Sequence, residues 1–251
     1  MSTARTLANT AIIAAQEGDL AAAEELDRRS LEIASTFDPN GASVAITLSN
    51  LGNILNNRGD KAGAETIYRR ALALAERNDP ASEVIASLHV NLGGIAFQCA
   101  EWDAALAHYR KALALFQVVA PDSAAVAAAQ GSVASVLRAR GELDAAEAAY
   151  RAALPLVEKQ TVGGITMSGL LVSLVEVATA RGDEAGLDAL AQRARGLLGT
   201  LPAMNQWAAR MHLIVADVAA RRGRDEEALA GYAAALDIYR RLAPGCLLYT
   251  S

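Results

Sequence analysis

The feature that most constrains this chain is a 41-residue period that runs through nearly all of it. Gly18, Gly59, Ala100, Gly141, Gly182 and Gly223 share one column of that period. Tyr68, Tyr109, Tyr150 and Tyr232 share a second, and Ala71, Ala112, Ala153, Ala194 and Ala235 a third. Pro39, Pro80 and Pro121 keep the same step in the connectors. Proline stops a helix because it lacks an N–H and clashes with the preceding turn. A fixed period of this length means that each unit buries its apolar face only by stacking on its neighbours.

The clearest unit runs from Asn91 to Leu115. Within it, Gly93 and Ala105 are small where two antiparallel helices approach closely. Trp102 and Tyr109 are large where the pair has to be filled, and Leu92 and Ala112 complete the contact. This spacing resembles the tetratricopeptide repeat. That repeat is usually about 34 residues long, and about seven extra residues add roughly one turn to each helix. The strings Asn50-Leu-Gly-Asn-Ile54 and Tyr68-Arg-Arg-Ala-Leu-Ala-Leu74 are similar to the long repeats of kinesin light chain and of related bacterial and animal scaffold proteins. The resemblance implies an all-α fold, a right-handed superhelical solenoid of antiparallel helix pairs. Six repeats are expected, at about 2–40, 41–80, 81–121, 122–162, 163–201 and 202–243.

Repeat one is atypical, with Asp27 and Ser30 in the aromatic and small columns of its second helix, as a solvent-facing cap allows. Pro155 lies inside the second helix of repeat four and is expected to kink it or end it early. Gly163-Gly164 follows, where the superhelix is expected to bend. Repeat five is degenerate, with Leu187 and Ala191 in its second-helix columns. Repeat six recovers Ala216, Gly223, Ala228, Tyr232 and Ala235. The last stretch, Cys246-Leu-Leu-Tyr-Thr-Ser251, fits no column and resembles translated adapter sequence from a sequencing library. Residues 244–251 are therefore read as a non-native tail, and the chain as a fragment whose native course continues.

The formal charge of −5 and the sequence pI near 5.3 argue against nucleic acid as a partner, since that affinity rests on many Lys and Arg contacts to phosphate. No apolar run approaches the roughly 20 residues that span a bilayer, and the first residues carry no secretion signal. A cytoplasmic protein with no membrane partner is expected. Cys99 reads as a small buried hydrophobe. Arg28, Arg69, Arg110 and Arg151 share a column, and Glu24, Glu65 and Glu147 precede three of them by four residues. Such pairs contribute roughly 0.2–0.5 kcal/mol each on a solvated face.

No catalytic constellation emerges, so the chain is read as not an enzyme, with no cofactor. His89, His108 and His212 lack the i, i+4 spacing and the accompanying carboxylates or cysteines of a zinc site. His108, beside Tyr109, reads as a surface or packing residue. The glycines are accounted for by turns and close packing and form no phosphate-binding loop.

The remaining candidate is the concave groove, which the resemblance places on the first helix of each repeat. Its lining is then Asn9, Asn50 and Asn91 in one column, with Asn53 and Asn57 in repeat two. Phe97 and Gln98 add to repeat three, and Arg138 to repeat four. Asparagine offers donors and an acceptor on one planar amide, and mid-helix it has no local advantage. It can therefore pair with a peptide's C=O and N–H together, with Gly94 allowing close approach. Asn56 and Asn57 also fit a simple helix end before Gly59. The family's clamp for a terminal carboxylate is matched at Asn50, but its cationic places hold Ala8, Ser87 and Asn91. The expectation is a scaffold that binds a peptide segment of a protein partner. The alternative is the sensor arm of a larger enzyme or regulator.

Overall fold

The computed structural model describes residues 2–80, 82–158, 164–201 and 205–242. Among the described residues the chain forms twelve α-helices and no strand. Gly163, Pro244, Cys246 and the rest of the 244–251 tail lie outside the described residues. Contacts divide the chain into two units, Met1–Ala125 and Val126–Ser251.

The first unit holds α1 (Ser2–Gln16), α2 (Leu20–Phe37), α3 (Ala42–Asn57), α4 (Lys61–Asn78), α5 (Glu83–Gln98) and α6 (Trp102–Val119). Each odd helix packs on the even helix that follows it, and α1 also touches α3, and α3 touches α5. The reason lies in the columns. A Cβ added at Gly52 of α3 would stand 2.4 Å from the ring of Tyr68 on α4, and one at Gly93 of α5 would stand 2.8 Å from Tyr109 on α6. The tyrosine ring therefore lies directly on the backbone of the first helix. Ala64, Ala71, Ala105 and Ala112 are fully buried around the two rings.

The hairpin turns repeat one geometry. Gly18 and Gly59 have φ +87°, and Ala100 takes the same left-handed region at +59°. The residue after each glycine caps the next helix. Asp19 accepts the N–H of Ala22 and Asp60 that of Gly63, each at 2.9 Å. Such caps contribute about 1 kcal/mol. Glu101 follows Ala100 and makes no such bond. The connectors stop the second helices as expected, α2 at Phe37, α4 at Asn78 and α6 at Val119, each just ahead of Pro39, Pro80 or Pro121.

The second unit holds α8 (Leu143–Glu158), α9 (Gly164–Arg181), α10 (Glu184–Leu198), α11 (Gln206–Arg221) and α12 (Asp225–Leu242); α7 (Ala124–Ala139) starts at the unit boundary. Helices α8 to α12 pack each on the next, and α9 also meets α11. Tyr150 repeats the role of Tyr68 and is 1% exposed. In α10 the sizes are exchanged, with Leu187 where the others have Ala and Ala191 where they have Tyr, and both are buried. In the last pair the glycine changes sides, since a Cβ on Gly231 of α12 would come 2.8 Å from the Cβ of Ala216.

Three expectations need correction. Asp27 and Ser30 do not face solvent. They are 0% and 1% exposed, because α2 turns the same face inward as α4 and α6. Ser30 satisfies its hydroxyl by donating to the carbonyl of Ala4 at 2.7 Å, whereas neither carboxylate oxygen of Asp27 has a partner. Cys99 is exposed rather than buried, because it caps the C-terminus of α5 at the turn. Pro155 does not end α8, which continues to Glu158. Its ring lies on the exposed side, where the missing N–H of a proline is least disruptive.

Candidate functional site

The asparagines stand on α1, α3 and α5 of the first unit. Asn53 is the joint between repeats. Its Oδ1 accepts from the Tyr68 hydroxyl at 2.6 Å and from Nδ2 of Asn91 at 3.0 Å. Both lone pairs are used, so the amide plane is fixed across α3, α4 and α5. Nδ2 of Asn53 and Oδ1 of Asn91 keep no protein partner, which leaves one donor and one acceptor on neighbouring repeats.

The tyrosine contact recurs at a spacing of 15 residues. Tyr150 pairs with Ser135 at 2.9 Å, and Tyr232 donates to Asp217 at 2.7 Å. In the third repeat the corresponding position is Gly94, and the Tyr109 hydroxyl comes no nearer than 3.7 Å to where a Cβ would be. Burial pushes the Tyr68 hydroxyl up to about 12, so it stays a donor at all ordinary pH.

Two adjoining cavities lie along α1 and α3. The larger, about 570 Å³, takes in Asn9 and Asn50 with Ala8, Ile12 and Ile46 on its walls. The smaller, about 200 Å³, takes in Asn50, Asn53, Asn57 and Asp27. Asn50 and Ile12 belong to both. Asn50 is half-buried and holds no side-chain hydrogen bond, while Asn9 and Asn57 are exposed. The structure thus brings Asn9, Asn50, Asn53, Asn57 and Asn91 together along one face of one unit.

Phe97 and Gln98 line neither of these two cavities. Phe97 is half-buried and packs edge-on to Trp102, with ring centres 5.2 Å apart, where it closes the strained turn at Ala100. Gln98 is exposed at the end of α5. Arg138 belongs to the second unit and is paired with Glu176 at 3.2 Å.

Sequence reasoning missed three features. Asp27 is an unpartnered carboxyl in the core, and burial raises it to about 7. The signal was its place in the tyrosine column, whose members Tyr68, Tyr109 and Tyr150 are buried. His89 and His108 meet with their Nδ1 atoms 3.0 Å apart. Burial first, then the charges of His108 and Lys111, holds His89 down at about 4, and burial also lowers His108. The pair is neutral near pH 7, and one ring donates to the other. Among the described residues no group of three or more potential metal ligands forms. The third feature is a set of ion pairs between repeats. Arg58 reaches Glu24, Arg181 reaches Glu147, and Arg222 reaches Asp188, each between neighbouring hairpins. The expected pairs within helices also form, Arg28–Glu24 at 2.7 Å, Arg69–Glu65 at 2.6 Å and Arg151–Glu147 at 2.8 Å. Arg110 has no such partner because Leu106 stands four residues before it.

The fold has relatives among known structures. BtubC (BKLC) from P. vanneervenii is 19% identical and superposes with a TM-score of 0.73 over 91% of this chain and 92% of its own. PilF of Pseudomonas aeruginosa is 17% identical with a TM-score of 0.66 over 98% and 94% of the two chains. The apo form of RapI is 13% identical with a TM-score of 0.66, and the match takes in 97% of this chain but 65% of RapI. No curated protein sequence matches the chain. The Tetratricopeptide repeat family model matches residues 2–77 and 84–159. Those matched stretches contain the turns at Gly18, Gly59, Ala100 and Gly141, the buried tyrosines and nearly all of helices α1 to α8, and the chain belongs to the tetratricopeptide repeat family.

Proposed function

We propose that this chain is a non-catalytic adaptor that holds a peptide segment of another protein against the asparagine-lined face of α1, α3 and α5. The repeat fold is consistent with a protein-interaction scaffold. The observation that carries the finer reading is the locked pair Asn53–Asn91, with a free donor on one residue and a free acceptor on the other. A peptide backbone presents the complementary groups along its length. Asn50, half-buried between the two cavities and without a hydrogen bond of its own, extends the row toward Asn9. Ile12 and Ile46, 42% and 46% exposed, supply apolar contact beside it.

On this reading Asn9, Asn50, Asn53, Asn57 and Asn91 form the groove. Phe97 and Gln98 mark its edge, and Arg138 belongs to the second unit. The proposal keeps six repeats over residues 1–243, with the tail 244–251 as non-native.

The test is selection of binding peptides from a random library on the intact chain, followed by Asn50→Ala and Asn91→Ala. Each substitution is expected to weaken the selected peptides by about tenfold, in line with the loss of buried amide hydrogen bonds, with helix content unchanged. Asn53→Ala is a poorer probe because it also strips the Tyr68 hydroxyl of its acceptor. Unaltered affinity in both variants would remove the groove from the account.

A second reading has one observation in its favour. RapI carries a substantial part of its chain outside the match, which fits repeats serving as the regulatory arm of a longer protein.

A further inference from the structure

The smaller cavity exists because of one residue. In α4, α6 and α8 the second-helix column holds tyrosine, whose ring fills the space against the first helix. In α2 the same position is Asp27, a much shorter side chain, with Ala11 opposite it where α3 and α5 have glycine. The space left over is part of the 200 Å³ cavity. A void of this kind is normally apolar and dry. Here its floor is a carboxyl group with two unpartnered oxygens, and leaving such a group unpaired is among the most costly arrangements in a core. Asn50, Asn53, Asn57 and Gln16 surround it with amide groups, and no arginine or lysine lines it.

We propose that this cavity is a receptor pocket for a primary alkylammonium group, with the ammonium on the Asp27 carboxylate and neighbouring amide oxygens and the alkyl stem along Ile12 and Ile54. The chemistry is that of a compact cation with three donors meeting a site made of acceptors. The inference rests on the groove reading only for the source of the amine, which within a bound peptide is a lysine side chain. Both Asp27 oxygens are closed to water in the free chain, so the amine enters by turning an amide aside. Asn57 serves that purpose: it is exposed, lines the cavity and holds no side-chain hydrogen bond, whereas Asn53 is fixed by Tyr68 and Asn91. Pairing with the ammonium supplies the charge partner that burial otherwise denies Asp27.

The test titrates the full chain at pH 8 with n-butylammonium, using n-butanol as the neutral isostere, and follows binding and the carbon-13 signal of the Asp27 carboxyl group. The amine is expected to bind more than about tenfold tighter than the alcohol and to move that signal, and Asp27→Asn is expected to remove the preference, as loss of one partner of a buried charge pair does. Equal binding of amine and alcohol, or an unmoved Asp27 signal, would overturn the proposal. The signal is read on the unaltered protein, so the result does not depend on how the variant folds. A selected groove peptide in which lysine is replaced by norleucine separates the sources. Loss of affinity assigns the ammonium to the peptide, and retained affinity alongside n-butylammonium binding assigns it to a free amine. A peptide that binds while n-butylammonium does not would leave the groove standing and this pocket refuted.

Discussion

Stability should fall as pH rises from 4 to 7, through Asp27. Its folded value is about 7 against an ordinary 3.8, and burial is the cause. Between those two values the unfolded chain has shed the proton while the folded chain still holds it. The favourable contribution of the protonated acid is therefore complete below about pH 4 and lost as pH rises toward 7. At about 1.4 kcal/mol per pH unit over roughly three units, the loss reaches about 4 kcal/mol. His89 acts in the opposite sense. Its folded value of about 4 lies below the ordinary 6.5, so its contribution is present above 6.5 and lost as pH falls toward 4. The two slopes oppose each other, and the raw pH profile hides both. Subtracting the profile of Asp27→Asn isolates the first, since that variant leaves α5 and α6 untouched. Urea unfolding followed by helix signal, in steps from pH 4 to 8.5, gives the difference. The variant should gain on the wild type steadily to about pH 7 and then hold its gain. Parallel profiles would refute the reasoning, because they would mean that Asp27 ionises as a solvated carboxyl does. Amide exchange in α1 and α2 reads the same effect if this terminal pair opens before the rest.

Three further outcomes follow from the tyrosine column and the turns. Asp27→Tyr should raise Tm even with Ala11 in place, since Tyr150 is buried opposite a fully buried Ala134 at the same position of α7. Ala11→Gly should destabilise on its own, but less beside the tyrosine. The pair should show coupling of about 0.5–3 kcal/mol in a double-mutant cycle. Gly93→Ala and Gly94→Ala should differ in sign. The first drives a methyl to 2.8 Å from the Tyr109 ring and costs about 1–3 kcal/mol, while the second meets nothing nearer than 3.7 Å and gains about 0.5–1 kcal/mol of helix propensity. Gly59→Ala should cost about 1 kcal/mol at its φ of +87°. Ala100→Gly should be neutral to stabilising, and thermal unfolding of the two variants decides it.

Much of the fold was legible because the period forces the same residue types into the same contacts. The turn column showed where the chain reverses, including at Ala100, where the residue type alone argued against it. The ion pairs within helices followed from spacing. The errors share one cause, which is that a substituted residue inherits the burial of its column, not the exposure its own chemistry suggests. Asp27 reads as solvent-facing because repeat one is atypical and fits a cap, and Cys99 as buried because it is a small hydrophobe. The column put the first in the core and the second in an exposed turn. The groove was only partly legible. Asn50, Asn53 and Asn91 stand together, but the hydrogen bonds that fix Asn53 join residues 15 and 38 apart in sequence, and such distances carry no helical signature. Arg138 is a groove candidate through its column, and its pairing with Glu176 on another helix has no signature in the sequence.

The measurement that tests the central claim most directly is the movement of the asparagine side-chain amide signals when a selected peptide is added to the isotope-labelled chain. The account requires the side-chain amides of Asn50, Asn53 and Asn91 to shift together, with those of Asn78 on α4 and Gln117 on α6, on the outer face, unmoved. Shifts confined to the outer face, with these three amides unchanged, would contradict it.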